Sequence, residues 1–181
     1  PGMSLVILIS DKPNLLFKTV ISRCKVLKFV PLKRATLEVI LKEDYSLDSA
    51  FAHFLAYFSE GRLGRALTLK EEDILFKKNN IIDKFVLAAK PNIDSLAGQN
   101  RQEVRVSLNL LAAWFRDIYL LKVGMPEREI INTDRKSELR QSLSRFSFLD
   151  LEIILKDISA AIFYLGQNVN TRLLLYNLGM D

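Results

Sequence analysis

The feature that most constrains the fold is a long amphipathic stretch between Val104 and Val123. Apolar residues recur there at helical spacing along one face, and the stretch ends at Gly124 and Pro126, which are both helix-stopping residues. Shorter segments with the same period fill most of the chain after residue 30, and no internal repeat or heptad series accompanies them. We therefore predict a mainly α fold.

Two groups of helices are predicted in that region. Residues 31–73 contain three short helices joined by short polar connections, which is typical of a small bundle. Pro31 can open the first helix, and Ser46 or Asp48 lies near the cap of the second. Residues 74–181 contain longer helices, predicted over about Val104–Val123, Asp134–Leu143, Leu149–Leu165 and Arg172–Leu178.

The beginning of the chain follows a different pattern. Leu5–Ile9 is a continuous apolar run, which is typical of a strand buried on both faces in a parallel sheet. Only Lys25–Val30 offers a second strand, and two strands do not form an independent sheet of this kind. Residues 1–30 are therefore predicted to be the end of an α/β domain whose main part lies outside this chain. The alternative is that Leu5–Ile9 forms the first turns of a buried helix.

Composition excludes several classes of protein. One cysteine and one histidine in 181 residues exclude a disulfide framework and leave too few ligands for a zinc site, so no metal is expected. The histidine, His53, is interpreted as a surface or hydrogen-bonded core residue. Charged residues interrupt every apolar run well short of about 18 residues, so no membrane span is predicted. With no basic leader at its start, the chain is expected to be cytoplasmic.

The basic charge is concentrated in one segment. Residues 1–34 hold seven basic residues and one acidic residue, whereas the rest of the chain is nearly balanced. Nucleic acid, a nucleotide phosphate and an acidic protein surface are all possible partners, and a solvated loop face is the alternative. The sequence contains no phosphate-binding glycine loop and no nucleophile elbow. Capture of phosphate by basic side chains is the chemistry that remains.

Several short motifs together point to a family. Ser10-Asp11-Lys12-Pro13 follows the apolar run directly, and Thr19-Val20-Ile21-Ser22-Arg23-Cys24 comes next. With these motifs the chain resembles bacterial replicative clamp loaders, the AAA+ subunits of DNA polymerase III. The resemblance extends over nearly the whole chain, and its later part is similar to the delta-prime members of the family. It rests there on Glu60–Leu67, Trp114–Gly124, Ile131–Asn132 and Asn170–Leu175.

The resemblance implies three parts: a remnant of the AAA+ α/β domain in residues 1–30, a three-helix lid in residues 31–73, and a helical collar in residues 74–181. It also implies that Arg23 is an arginine finger acting in trans on ATP bound by a neighbouring subunit. A guanidinium suits this role, because its fixed donors match the charge that phosphoryl transfer places on the phosphate oxygens. Ser22 and Cys24 would position the loop, with Cys24 as a small buried residue.

Two further residues correspond to nucleotide sensors in the family. Ser10 matches the polar sensor at the end of the strand. In ATP-binding members the lid arginine stands at the position of Gly64, so Arg65 lies about 100° around the helix from that position. Arg65 is therefore not expected to reach a nucleotide in its own subunit. This departure favours a subunit that does not hydrolyse ATP.

The function implied is that of a stator in the clamp loader. Such a subunit helps to load the sliding clamp on primed DNA, packs against subunits of the gamma or tau type and of the delta type through the collar, and holds no cofactor of its own. Three alternatives remain open. The chain could be part of a motor ATPase subunit, a basic helical DNA-binding module that uses residues 12–34, or a purely structural fragment.

Overall fold

Helices dominate the computed structural model, which describes residues 5–88, 96–167 and 169–176. Over these ranges it contains no strand, and the mainly α prediction is confirmed. A π-helical turn extends α5, and 3-10 turns precede α1 and α7. The α-helices are α1 (Lys18–Ile21), α2 (Arg34–Glu43), α3 (Ser49–Phe58), α4 (Leu63–Glu71), α5 (Ile74–Ile82), α6 (Arg101–Val123), α7 (Lys136–Ser142), α8 (Phe148–Leu165) and α9 (Thr171–Tyr176).

Local sequence signals set the helix ends. The Asn100 side chain accepts the Glu103 N–H at 3.0 Å, and the Glu103 carboxylate accepts the Asn100 N–H at 3.2 Å, so α6 begins with a reciprocal capping box. It ends at Gly124, whose φ of 86° only glycine adopts without strain. Of the two predicted cap residues, Ser46 and Asp48, Asp48 caps α3 by accepting the N–H groups of Ala50 and Phe51.

Some predicted boundaries are wrong. Pro31 does not open a helix, since α2 begins at Arg34 and the Leu32 N–H donates to the Gly61 carbonyl at 2.8 Å instead. The helix predicted from Asp134 begins two residues later, because Thr133–Arg135 forms a 3-10 turn. The predicted end of the last helix, at Leu178, lies outside the described residues.

The chain divides into two compact units, the first ending at Val30 and the second beginning at Pro31. In residues 5–30 of the first unit, the two predicted strands are wrong: neither Leu5–Ile9 nor Lys25–Val30 has regular structure. A strand is held by hydrogen bonds to a neighbouring strand, and the described residues provide none. The side chains of both segments are exposed, with Ile9 and Phe29 each at 95%.

Helix α6 is central to the second unit, since it contributes to both hydrophobic clusters. One face packs most extensively against α8, and α5, the π-helical turn, α7 and α9 contribute further side chains to this cluster. The opposite face contributes Leu110 and Ala113 to the cluster that the three short helices α2–α4 bury. The side chains of α2–α4 in that cluster include Leu37, Leu41, Phe54, Leu55 and Ala66. The division of the chain into remnant, lid and collar stays a prediction.

Candidate functional site

The predicted arginine finger follows the single turn of α1. The Arg23 N–H donates to the Val20 carbonyl at 3.1 Å, and the Cys24 N–H donates to the Ile21 carbonyl at 3.2 Å. Ser22 ends the helix, and its hydroxyl donates to the Thr19 carbonyl at 3.3 Å. The turn therefore fixes the backbone on both sides of Arg23.

The Arg23 side chain is exposed, and within residues 5–30 it forms no hydrogen bond or ion pair. The guanidinium is thus available to an anion from outside. Cys24 is also exposed, so its predicted burial is wrong. The Cys24 side chain would be buried only if another element, such as the predicted sheet, packed against it. Ser10 is exposed and its hydroxyl accepts the Lys12 N–H at 3.1 Å.

Arg65 lies on α4 in the second unit and is held within its own segment. Its Nη1 donates to Glu60 Oε1 at 3.1 Å, and Arg62 lies 3.4 Å from the other oxygen of the same carboxylate. Gly64, the preceding residue, has open space around it: a Cβ built there meets no atom within 4 Å. The small residue is therefore not required by packing at this position.

Beside these predicted residues, the structure reveals a polar junction that sequence reasoning missed. It is centred on the segment Gly124–Arg135 between α6 and α7, which we name the α6–α7 loop. Buried Asp117 accepts the Ile131 N–H at 2.9 Å, the Asn132 N–H at 2.8 Å and the Asn132 Nδ2–H at 2.7 Å. Burial raises the pKa of Asp117, and the hydrogen bonds from Asn132 and Ile131 oppose that shift. The loop is thereby fixed to the middle of α6.

A second anchor of the α6–α7 loop is an ion pair. Lys78 on α5 is completely buried, and its Nζ lies 2.6 and 2.5 Å from the two carboxylate oxygens of Asp134. Burial lowers the pKa of Lys78, while the hydrogen bond from its ammonium to Asp134 raises it. The ammonium also lies 4.9 Å from the centre of the Phe54 ring, which adds a cation–π contact to α3.

The three short helices also bind the loop directly. His53 Nε2 lies 2.8 Å from the Ile130 carbonyl oxygen, and Nδ1 lies 3.1 Å from Glu38 Oε2. The Tyr57 hydroxyl donates to the Arg128 carbonyl at 3.3 Å. His53 is therefore a hydrogen-bonded histidine, which is one of the two interpretations that the sequence left open, although nothing local in the sequence identifies a partner 77 residues away.

One sequence signal could have identified Asp117. It follows Trp114 and precedes Ile118 within the apolar face of α6, where a carboxylate is unexpected unless it is paired.

The sequence has no comparable signal for a metal site or for a membrane-spanning helix. Over the ranges that the structure describes, no group of three His, Cys, Asp or Glu side chains could hold a metal ion. Nor is any helix there long and apolar enough to cross a membrane.

Helix α8 presents an exposed apolar stripe. Four large side chains lie along it at helical spacing, and a groove of about 350 Å³ separates the end of α8 from residues 169–174. Asp157 and Ala160 are among the residues that line this groove. An exposed apolar stripe can bury area against another apolar surface. Its large members are Leu149, Ile153, Phe163 and Tyr164.

The second unit is thus an all-helical protein domain in which three short helices and a bundle share a central helix. Residues 73–178 match the family model of the C terminal of the DNA polymerase III delta subunit. Because the match covers more than half of the chain, the chain belongs to this family, whose members are components of the clamp loader. No curated protein matches the chain.

Proposed function

We propose that the chain is a delta-prime-type subunit of a bacterial clamp loader, a stator that supplies Arg23 in trans to ATP held by a neighbouring subunit. The observation that carries this proposal is the exposed Arg23 side chain, which is free of ion pairs within residues 5–30. The pairing of Arg65 with Glu60 supports a subunit that does not hydrolyse ATP itself.

The proposed chemistry follows from charge. As the γ-phosphoryl group is transferred, negative charge develops on oxygens that a permanently charged guanidinium contacts through two N–H groups at once. An arginine in this position is worth roughly 10³–10⁵ in rate at the site that it serves. This chain itself holds no cofactor in the proposal, and Ser22 and Cys24 act only by fixing the turn that carries Arg23.

Arginine-finger action is tested by ATP turnover in the complex reconstituted with its partners, sliding clamp and primed DNA. Arg23→Ala should leave assembly intact and abolish ATP turnover at the neighbouring site. Arg23→Lys should restore little of that turnover, since a lysine lacks the planar fork. Lys25→Ala removes the same charge from the same exposed segment and serves as the control. Full turnover by assembled Arg23→Ala, or an equal loss with Lys25→Ala, contradicts the finger.

Residues 74–181 are proposed to join the other subunits, of the gamma or tau type and of the delta type, in a shared helical collar. The exposed stripe of α8 supports this, because it can bury apolar area against helices of the same kind. The chain would contact primed DNA and the sliding clamp as part of the assembled cytoplasmic complex.

The collar proposal is tested by mixing the full chain with its partner subunits and measuring assembly by size-exclusion chromatography. Ile153→Asp places a charge in the stripe and should abolish co-elution, whereas Ser159→Asp places the same charge on an exposed polar position of α8. Wild-type chain that stays monomeric at micromolar concentration with all partners present would overturn the collar role.

A further inference from the structure

Four buried polar atoms of α5, α6 and the α6–α7 loop have no hydrogen-bond partner among the residues that the structure describes. They are the indole nitrogen of Trp114, Nη1 of Arg135 and the side-chain amide oxygens of Asn79 and Asn132. Trp114 and Asn132 are completely buried, and the Arg135 side chain is 15% exposed. A fifth such atom, the Ser59 hydroxyl oxygen, lies apart at the end of α3. Buried polar groups in folded proteins nearly always have a partner, which can be an internal water molecule.

The two donors, Trp114 and Arg135, are neighbours. Arg135 Nη2 lies 2.7 Å from Asp83 Oδ1 and Nε donates to Glu138 Oε1 at 2.9 Å, so the orientation of the planar guanidinium is set and Nη1 is the group that remains. Its Cζ lies 5.9 Å from the centre of the Trp114 ring. An indole N–H points outward in the plane of the ring, so a cation over the ring face does not satisfy it.

Both acceptors belong to residues next to Arg135 or to its partner. Asn132 begins the 3-10 turn that contains Arg135, and the Arg135 N–H donates to the Asn132 carbonyl at 3.2 Å. The Asn132 amide nitrogen donates to Asp117 at 2.7 Å, which identifies the other end of that amide as the oxygen. Asn79 precedes Asp83 by four residues, so these two side chains lie one turn apart on the same face of α5.

We propose that an internal water molecule is bound by these four groups. It accepts hydrogen bonds from the Trp114 indole N–H and from Arg135 Nη1, and it donates to the amide oxygens of Asn79 and Asn132. Two donors and two acceptors complete the four hydrogen bonds of a buried water molecule. N–H donors repel a cation and amide oxygens repel an anion, so the mixed set selects a small neutral group that both donates and accepts.

The water molecule therefore links α5, α6 and the α6–α7 loop through hydrogen bonds that the side chains do not make directly. This inference does not depend on the proposed clamp-loader role.

Water-selective NMR of the full 181-residue chain tests the site directly, because one tryptophan gives one indole N–H signal. In the rotating frame that signal should show a cross peak to water with the sign of dipolar contact, which is opposite to the sign that hydrogen exchange produces. In the laboratory frame its sign should be that of a water molecule that tumbles with the protein. Absence of the dipolar cross peak, or a cross peak with the sign of exchange alone, overturns the proposal.

A matched pair of variants tests the acceptor on α5. Asn79→Leu removes one acceptor of the site, whereas Asn80→Leu makes the same change at the next position of the helix, where no buried oxygen lacks a partner. Oxygen-17 relaxation dispersion measures the number of long-lived bound water molecules. Asn79→Leu should lower that number by about one relative to the wild type, and Asn80→Leu should leave it unchanged. An unchanged number in Asn79→Leu, or an equal fall in both variants, contradicts the site.

Discussion

Asp117 accepts two hydrogen bonds from a single residue, Asn132, through its backbone N–H at 2.8 Å and its side-chain Nδ2–H at 2.7 Å. The Ile131 N–H donates to the same carboxylate. Asp117 is completely buried. A carboxylate accepts such bonds at both oxygens. Arg116 Nη1 also donates to Asp117 Oδ1 at 3.2 Å, and the bonds from Ile131 and Asn132 attach this part of the α6–α7 loop to α6.

Replacing that carboxylate by an amide should destabilise the fold strongly. In Asp117→Asn the new NH₂ faces existing N–H donors, so a buried donor loses its partner at a cost of about 2–3 kcal/mol. Urea unfolding followed by circular dichroism measures the change. Asp44→Asn, at the exposed end of α2, makes the same chemical change and should have little effect. Equal stability of the two variants would show that the Asp117 bonds are not stabilising.

The Lys78–Asp134 pair should respond unequally to loss of its two partners. Lys78 has no exposed surface, whereas the Asp134 side chain keeps 22% exposure. Asp134→Asn strands a buried ammonium and should cost about 3–5 kcal/mol, whereas Lys78→Met leaves a carboxylate that water still reaches.

A double-mutant cycle separates the interaction energy of Lys78 and Asp134 from the cost of each single substitution. The double variant should be less destabilised than the sum of the two single variants, by about 1 kcal/mol or more. Additive costs in urea unfolding would mean that the two side chains do not interact.

Two glycines only three residues apart should behave in opposite ways. Gly61 has a φ of 78°, and a Cβ there would collide with the Leu32 carbonyl oxygen, so Gly61→Ala should cost more than about 2 kcal/mol. Gly64 lies in α4 with open space around it, and Gly64→Ala should stabilise the helix by about 0.5–1 kcal/mol. Thermal unfolding of the two variants checks both signs, and destabilisation by Gly64→Ala would contradict the open site.

Acid should destabilise the fold through Glu127. Hydrogen bonds from Lys136 and Arg140 lower the pKa of Glu127 below its ordinary value of 4.5. The folded state then binds fewer protons than the unfolded state, so the stabilisation is present above pH 4.5 and is lost as the pH falls through the lowered value.

A matched pair of variants isolates this contribution. Glu127→Gln should flatten the acid limb of the stability curve, whereas Glu71→Gln, which removes an exposed carboxylate on α4, should not. Because the Glu127 side chain lies at the surface, 1 M salt should weaken the effect in the wild type. An unchanged acid limb in Glu127→Gln would contradict it.

Periodic and local signals were sufficient to predict most of the helices. The apolar stripe of α6 and the Asp48 cap depend on residues only a few positions apart, and both agree with the structure. The strand at Leu5–Ile9 was wrong for a related reason. Its composition suits a strand, but strand formation depends on partners that lie elsewhere in a sheet, and the described residues contain none.

The polar junction could not be predicted because its contacts join residues far apart in sequence. His53 and Ile130 are 77 positions apart, and Lys78 and Asp134 are 56 apart. No periodicity reports such pairs. Arg23 could be singled out from its motif, but the role that the motif suggests depends on a neighbouring protein, and it stays a prediction.

The placement of α6 has a practical consequence for anyone who trims the protein. A fragment cut to residues 73–178, the range that the family model matches, would lose α2, α3 and α4. Leu110 and Ala113 would then face water on an uncovered side of the longest helix, and the Lys78 ammonium would lose the Phe54 ring. Such a fragment should aggregate more readily than the longer chain, because helices outside the matched range bury apolar side chains that the fragment would expose.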